Sequence, residues 1–203
     1  MKSSLLIFTL NFALICCGSD VKKAFADNGI PEDVIDVNPK LTLTITYPDD
    51  KSVELGNELA PKQVRATPSV KYEGSKDAYY TLIMTDPDAP SRKNPVAREF
   101  NHWLVVNIPG SDVEAGETLT AYLGSGPPKD TGLHRYVFYL FQQPGKLDFS
   151  GEAKHDKFDG NRKNFSTAKF VEKYKLGEAV AGNFYQAQYD DSVPALHKQI
   201  ASH

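Results

Sequence analysis

T-D-P-D-A-P-S-R, residues 85–92, follows directly on Y-Y-T-L-I-M, residues 79–84, and this stretch decides how the chain builds its polar centre. The aromatic and apolar residues before the loop predict a buried strand. Two prolines then limit the loop to few backbone conformations. A second polar segment, residues 124–136 (G-S-G-P-P-K-D-T-G-L-H-R-Y), leads into the apolar run V-F-Y-L-F, residues 137–141. Polar residues at the ends of buried strands are typical of a pocket built on a rigid scaffold.

The rest of the chain is rich in strand patterns, and helices are predicted only towards its two ends. Residues 41–47 alternate between apolar and polar side chains, as a half-buried strand does. Ser166 is suited to cap a helix, and Phe165 can pack on Phe170 in the hydrophobic staple that opens one. We predict a mainly β fold, a two-sheet antiparallel sandwich with peripheral short α-helices. Further strands are predicted near 53–55, 69–72, 79–86, 99–107, 120–122, 136–142 and 179–189, and helices over 20–28, 167–174 and 193–200.

The first 18 residues carry the features of a secretory signal peptide. Lys2 supplies a positive charge, an apolar run spans residues 5–17, and small residues such as Cys16 precede the cleavage point. A membrane anchor is the alternative, but the run falls short of the roughly 20 apolar residues that a spanning helix needs. A bacterial lipoprotein signal at residues 14–16 is a second and weaker alternative. We predict a signal peptide over residues 1–18 and a secreted, extracellular protein.

Composition places further limits on the mature chain. Both cysteines, Cys16 and Cys17, lie in the signal, so the mature chain can form no disulfide and has no thiol nucleophile. Residues 19–203 can bury one hydrophobic core without disulfides, and we predict a single domain. The net charge of −3 and the absence of a basic stripe argue against a nucleic-acid partner. The one N-x-S/T sequon, at Asn164, is a glycosylation candidate and agrees with secretion.

The two polar segments resemble the hallmark segments of the phosphatidylethanolamine-binding protein family. D-P-D-A-P-S-R and G-x-G-P-P-x-x-T-G-x-H-R-Y occur in that family's order, spacing and strand context, and the similarity runs from about residue 33 to 199. The resemblance implies a large antiparallel sheet packed on a smaller one, and a small cavity that accepts a phosphate head group. It also implies cis peptide bonds at Ala89-Pro90 and Arg98-Glu99. The ligand-binding residues that it implies are Asp86, Pro90, His102, Gly126, Pro128, His134, Tyr136 and Tyr185.

The chemistry of these side chains suits an anionic ligand. Strict alternation puts His102 on one face with Phe100 and Leu104, opposite Trp103. A histidine packed in the core with one hydrogen-bond partner is the ordinary interpretation of such a position. As a functional residue, His102 is expected to lie beside Asp86, which would raise the pKa of the imidazole. Anions would then bind more tightly below about pH 6.5, as the histidines become charged.

Other polar positions modify this expectation. Gly124 and Gly126 offer backbone N–H groups that can cradle an anion. Three positions depart from the family pattern: Asp130 replaces a common glycine, Phe100 a common tryptophan and Asn101 a second histidine. We expect Asp130 to weaken anion binding and the other two to alter the shape and hydrogen bonding of the pocket rim. The acidic residues of the first segment can also serve only to cap its turns.

Two functions remain in competition, and both are binding functions. The first is a secreted carrier of a small anionic or phospholipid-head-group-like ligand. The second is an extracellular protein-interaction regulator, such as a protease inhibitor or signalling modulator, with Arg92 and the loops around Pro90 and Pro128 as its contact surface. Catalysis is not expected, because Ser125 lacks a nucleophile elbow and the two histidines are too far apart in sequence for a typical metal site. We therefore expect a monomer with no metal, no cofactor and no transmembrane anchor, and with a protein partner only in the second role.

Overall fold

The computed structural model describes residues 18–203 of the chain. Nearly all of the predicted signal peptide, with Cys16 and Cys17, lies outside these residues, so the signal peptide and secretion stay predictions. Within residues 18–203, no helix is both long enough and apolar enough to cross a membrane.

Two β-sheets make up most of the described chain. Their strands are β1 (Leu41–Thr42), β2 (Thr44–Tyr47), β3 (Lys51–Ser52), β4 (Ser69–Lys71), β5 (Tyr79–Asp86), β6 (Phe100–Pro109), β7 (Glu117–Thr120), β8 (His134–Gln142) and β9 (Ala179–Ala187). The larger sheet has the order β1-β9-β8-β5-β6-β7, and the smaller has the order β3-β2-β4. This confirms the mainly β, two-sheet prediction. It corrects one edge, because β1 pairs with β9 in parallel whereas the other pairs are antiparallel.

Short helices lie outside the sheets, as predicted. They are α1 (Gly18–Asp27), α2 (Ile30–Asp33), α3 (Thr167–Tyr174) and α4 (Val193–Ala201), of which α2 was not predicted. The hydroxyl of Ser166 accepts a backbone N–H at the start of α3, and the rings of Phe165 and Phe170 lie 5.8 Å apart. The predicted cap and staple are both confirmed. The helix ends at Tyr174, as predicted, and is followed by Lys175 in the left-handed conformation, with φ of 53°.

The alternating segment 41–47 is divided between the two sheets instead of forming one strand. Its first part, β1, pairs with β9, and its second part, β2, pairs with β3 and β4. Between them Leu43 is fully buried and donates its N–H to the carbonyl oxygen of Gly182 at 2.9 Å. Alternation cannot show this switch, because side chains keep the same period of two on either side of it.

The larger sheet is covered on both faces, which explains why β5 and β8 are almost continuously apolar. On one face Leu82 and Phe138 pack with Ile45 of the smaller sheet. On the other face Ile83 packs in a second cluster with Phe25 of α1. Polar side chains replace apolar ones where β5 ends, at Asp86, and where β8 begins, at His134.

Candidate ligand-binding site

A cavity of about 500 Å³ opens where β5 ends and where β6 and β8 begin. The two polar segments, residues 85–92 and 124–136, form much of its wall. Ala89-Pro90 and Arg98-Glu99 are both cis, as the resemblance implied. The structure brings seven of the eight predicted residues to this one cavity, while their binding of a ligand stays a prediction. The seven are Asp86, Pro90, His102, Gly126, Pro128, His134 and Tyr136.

A β-bulge in β6 decides which residues of that strand reach the cavity. Met84 of β5 pairs with Trp103, whereas the next residue, Thr85, pairs with Asn101. His102 is therefore the extra residue of the bulge. A bulge bends its strand and re-aims a side chain, and here it delivers the imidazole to the cavity wall.

The bulge also changes which side chains share a face. Phe100 and His102 both line the cavity, and the rings of His102 and Tyr136 lie 5.1 Å apart. Trp103 lies in the same inter-sheet cluster as Tyr136, whereas Leu104 belongs to the cluster on the opposite face. The predicted grouping of His102 with Leu104, opposite Trp103, is therefore wrong. Strict alternation assumes an unbulged strand.

Asp86 is held by His134 and not by His102 as predicted. Its Oδ2 accepts a hydrogen bond from Nδ1 of His134 at 2.8 Å, and its Oδ1 accepts the N–H of Asp88 at 2.7 Å. Asp86 is 3% exposed and His134 is 1% exposed. Because both of its oxygens have partners, the carboxyl group of Asp86 is held in one orientation at the cavity wall.

His102 is a neutral residue in this setting. Its Nδ1 lies 2.7 Å from the carbonyl oxygen of Leu123, which can only accept, so the hydrogen bond assigns the proton to Nδ1 and leaves Nε2 as an acceptor. Burial lowers the pKa of His102 to about 4 and outweighs the opposing effect of the Asp86 carboxylate. The expectation of a raised pKa is therefore wrong, because it counted the nearby charge and left out desolvation.

The hydroxyl of Thr131 connects His134 to the rim of the cavity. Its Oγ1 lies 3.0 Å from Nε2 of His134 and 2.7 Å from the carbonyl oxygen of Pro128. The hydroxyl has one proton, which it can donate either to a neutral His134 or to Pro128. Thr131 thus links the buried Asp86–His134 pair to a carbonyl oxygen at the rim of the cavity.

Tyr185 is the predicted site residue that the structure places elsewhere. It is fully buried and is not part of the cavity wall. Its ring stacks on Tyr136 with centroids 5.0 Å apart and planes within 13°. It also meets the ring of Tyr47 edge-on at 5.9 Å. Tyr185 therefore supports the residue that lines the cavity, and its assignment as a lining residue is corrected.

A buried ionic network holds the first polar segment from behind. Arg135 donates to both carboxylate oxygens of Asp88, at 2.9 and 2.6 Å, and to Asp33 of α2 at 2.6 Å. Arg98 also pairs with Asp33 and donates to the carbonyl oxygen of Pro87 at 2.6 Å. Burial disfavours the charge on Arg135, but the two carboxylates outweigh it and raise its pKa. The network fixes the loop that carries Asp86.

Sequence reasoning missed the part of the wall that comes from α4 and from residues 163–164. Leu196, His197 and Ile200 line the cavity, and Nε2 of His197 donates to the carbonyl oxygen of Gly126 at 2.8 Å. Gly126 admits the helix, since a Cβ at this position would lie 2.8 Å from Cδ2 of Leu196. The sequence signal for this part of the wall was the pair of apolar residues Leu196 and Ile200, which lie one helical turn apart.

Arg162 fastens residues 163–164 to the bulged strand. It is 1% exposed, and its Nη1 donates to the carbonyl oxygens of Ala121 at 2.8 Å and His102 at 3.3 Å. Its own carbonyl oxygen accepts the N–H of Asn101 at 2.9 Å. Burial lowers the pKa of Arg162 to about 10, which leaves it charged at neutral pH. No motif predicted this clamp.

The three departures from the family pattern have different consequences. Phe100 lines the cavity, with its ring 5.0 Å from that of His102. Asn101 points elsewhere and donates to the hydroxyl of Thr120 at 3.3 Å. Asp130 is exposed in a turn with φ of 64° and is not a lining residue. We expected Asp130 to weaken anion binding, but it does not line the cavity and so makes no direct contact there.

Comparison with known proteins agrees with this fold. The family model described as phosphatidylethanolamine-binding protein matches residues 49–186. "Putative odorant-binding protein A5" of Drosophila melanogaster is 35% identical over 181 residues, which cover 89% of this chain and 86% of that protein.

Solved structures show the same similarity. The carboxypeptidase Y inhibitor, crystallised with its cognate proteinase, has a TM-score of 0.73 at 28% identity and covers 89% of this chain and 100% of its own. The solution structure of CG7054 has a TM-score of 0.69 at 45% identity and covers 86% and 98%. The chain belongs to the phosphatidylethanolamine-binding protein family.

Proposed function

We propose that this chain is a secreted, non-catalytic binding protein that holds a small amphiphile by an anionic head group in the cavity. The observation that carries the proposal is the convergence of Asp86, His102 and His134 at the base of a cavity with apolar walls. Polar groups fix a ligand's head, and apolar walls hold its carbon chain. Phe100 and Leu196 are among the apolar contributors.

The charges of the cavity favour a head group that carries both signs. Asp86 repels a simple anion, although Lys163 at the wall can offset that repulsion. Asp86 and the free Nε2 of His102 are both acceptors, so they favour a ligand that also donates hydrogen bonds. A phosphoethanolamine-type head supplies a phosphate and an ammonium group, and it satisfies both requirements.

Titration with a soluble short-chain phosphatidylethanolamine tests the proposal. We expect Asp86→Asn to weaken binding about 10- to 100-fold, since a hydrogen bond to a charged group contributes about 1.5–3 kcal/mol. Asn keeps the shape of the side chain and can still accept the N–H of Asp88. Asp148→Asn is the matched control, because Asp148 is exposed and lies outside the cavity wall. Equal affinity in the two variants would contradict a ligand at Asp86.

Protease inhibition is the second candidate, and the similarity to a carboxypeptidase inhibitor favours it. Val96 at the cavity wall is 71% exposed, and an exposed apolar side chain of this kind can contact a protein partner. Inhibition assays against serine carboxypeptidases test this function. Val96→Asn should weaken inhibition strongly while leaving the affinity for the short-chain lipid head within about threefold, because it adds no charge to the cavity wall. Inhibition that survives Val96→Asn would remove this surface from the second candidate.

A further inference from the structure

The glycosylation sequon lies at the mouth of the cavity. Asn164 lines the cavity beside Lys163, and its side chain is exposed. Its backbone N–H contacts the carbonyl oxygen of Ala97 at 3.4 Å, and the next residue, Phe165, exchanges backbone hydrogen bonds with Glu99, both at 3.0 Å. Arg162, whose guanidinium group donates to the carbonyl oxygen of Ala121, lies two residues before Asn164. Anything attached to Asn164 is therefore held at the rim.

We propose that Asn164 carries an N-linked glycan, and that the glycan admits small ligands to the cavity while it excludes protein loops from its rim. The proposal rests on the proposed secretion, because N-glycans are added in a eukaryotic secretory route. A glycan is bulky and hydrated, so it screens a surface from large partners more than from small solutes. It thus specifies the occupant of the proposed site as a small molecule.

The local structure accepts this modification without losing a contact. Within residues 18–203 no hydrogen bond uses the side-chain amide of Asn164, so a sugar on that nitrogen displaces no partner. Asn164 has φ of 59°, a conformation that asparagine tolerates well. Ser166 caps α3 through its hydroxyl. Both sequon residues thus have structural roles, so test variants must keep those roles.

Two variants remove the sequon and preserve the local structure. Asn164→Asp keeps a side chain that tolerates the left-handed conformation, and Ser166→Asp keeps an effective helix cap. Ser166→Thr keeps both the cap and the sequon and serves as the matched control. The full-length chain and residues 18–203 behind a heterologous signal peptide are expressed in insect cells. The second form, which contains both sheets, separates a failed natural signal from an unused sequon.

Mass spectrometry before and after treatment with an N-glycosidase gives the first result. We expect a glycan on the natural chain and on Ser166→Thr, conversion of Asn164 to Asp on its release, and none on either Asp variant. A secreted, folded protein of residues 18–203 with an unmodified Asn164 would overturn the proposal. A full-length chain that is not secreted, together with a glycosylated second form, would instead overturn the proposed secretion.

A cysteine introduced at the rim measures access to the cavity. Val96→Cys is made in residues 18–203, which contain no natural cysteine, and Glu114→Cys serves as an exposed control outside the cavity wall. A polymer-linked maleimide should react with the thiol of Val96→Cys about tenfold more slowly in the glycosylated protein than in the deglycosylated one. A small maleimide should react at equal rates. Equal rates for the polymer reagent would overturn the exclusion of protein loops.

Lipid titration separates this proposal from the proposed function. The short-chain phosphatidylethanolamine should bind the glycosylated protein and Ser166→Asp within about threefold, because a small ligand passes the glycan and Ser166 lies outside the cavity wall. Absence of binding to both proteins would contradict the proposed function and leave the glycan result standing. Binding to Ser166→Asp alone would show that the glycan closes the cavity to small ligands too, and would overturn the proposal.

Discussion

Asp86 is the last residue of β5 and Asp88 follows two residues later, yet the two carboxyl groups have different surroundings. Asp88 faces the interior, where Arg135 contacts both of its oxygens and Arg98 lies 3.7 Å away. Asp86 faces the cavity and has one titratable partner, His134. The two guanidinium groups hold Asp88 and with it the loop, whereas Asp86 lies at the wall of the cavity where we propose that a ligand binds. This division separates the residues that build the site from those that we propose to bind.

Removing Arg135 should give the largest effect. Arg135→Met leaves Asp88 and Asp33 in place without their main partner, and the loss of one member of a buried ion pair costs about 3–5 kcal/mol. We expect a decrease of that size in the free energy of unfolding, measured by urea denaturation. Arg92→Met is the control, since Arg92 is exposed and, among residues 18–203, its side chain donates only to the carbonyl oxygen of Asn28. A similar small loss in both variants would mean that the network does not stabilise the loop.

Within residues 18–203, Glu99 is a buried carboxylate without an ion pair comparable to that between Asp88 and Arg135. It accepts the N–H and hydroxyl of Thr167 at 2.8 and 2.6 Å, yet burial raises its pKa to about 7. Below pH 4.5 the carboxyl group is protonated in both states and costs nothing. As the pH rises from 4.5 to 7, only the unfolded chain loses its proton, so stability falls. Above pH 7 the folded protein bears the whole cost.

Glu99→Gln should therefore stabilise the protein at pH 8 and have little effect at pH 4. The gain is up to about 3 kcal/mol, from 1.36 kcal/mol for each unit of pKa shift. Chemical denaturation at both pH values measures it, with Glu152→Gln as a control for a carboxylate near the surface. The pKa of Glu152 is lowered by its partners Lys173 and Tyr174 despite some burial, so its variant should lose stability at pH 8. Equal effects of Glu99→Gln at both pH values would contradict a raised pKa.

The fold was predictable where one local pattern determines one structure. The cap at Ser166 and the staple of Phe165 on Phe170 depend only on neighbouring residues, and the structure shows both. The strand over 79–86 was clear because nearly its whole length is apolar, aromatic or β-branched. The division of 41–47 was not predictable, because the switch between sheets depends on β9, which lies far away in sequence.

The site was predictable as a set of residues but not as a set of contacts. The motifs brought Asp86, His102 and His134 to one cavity, yet they suggested the wrong partner for Asp86. The reason is the bulge at His102, whose position depends on the pairing of β5 with β6. The pKa of His102 depends on burial, and sequence alone does not give burial. The part of the cavity wall that α4 contributes depends on where this C-terminal helix packs, which local sequence patterns do not give.

His102 lines the same cavity as Asp86 but is neutral, so we expect its contribution to ligand binding to be independent of pH. With a pKa of about 4, His102 keeps the same charge from pH 5.5 to 7.5. The ratio of dissociation constants for His102→Gln and the natural protein should stay within about twofold over this range. A phosphodiester lipid head is the suitable probe, since its charge is constant there. A ratio that rises below pH 6.5 would restore the original expectation of a charged His102.

The smallest expected effect distinguishes Tyr136, which lines the cavity, from Tyr185, which packs behind it. Tyr136 lines the cavity, and Tyr185 is fully buried beneath it in a stacked pair. Tyr136→Phe removes the hydroxyl of a residue that lines the cavity, and we expect about three- to tenfold weaker lipid binding, in line with one neutral hydrogen bond. Tyr185→Phe keeps the stacked ring and should leave the dissociation constant unchanged within about twofold. Both variants remove one buried hydroxyl, so each controls for the other in stability. Equal weakening by the two variants would mean that the ligand reaches below Tyr136 and that the wall lies one side chain deeper.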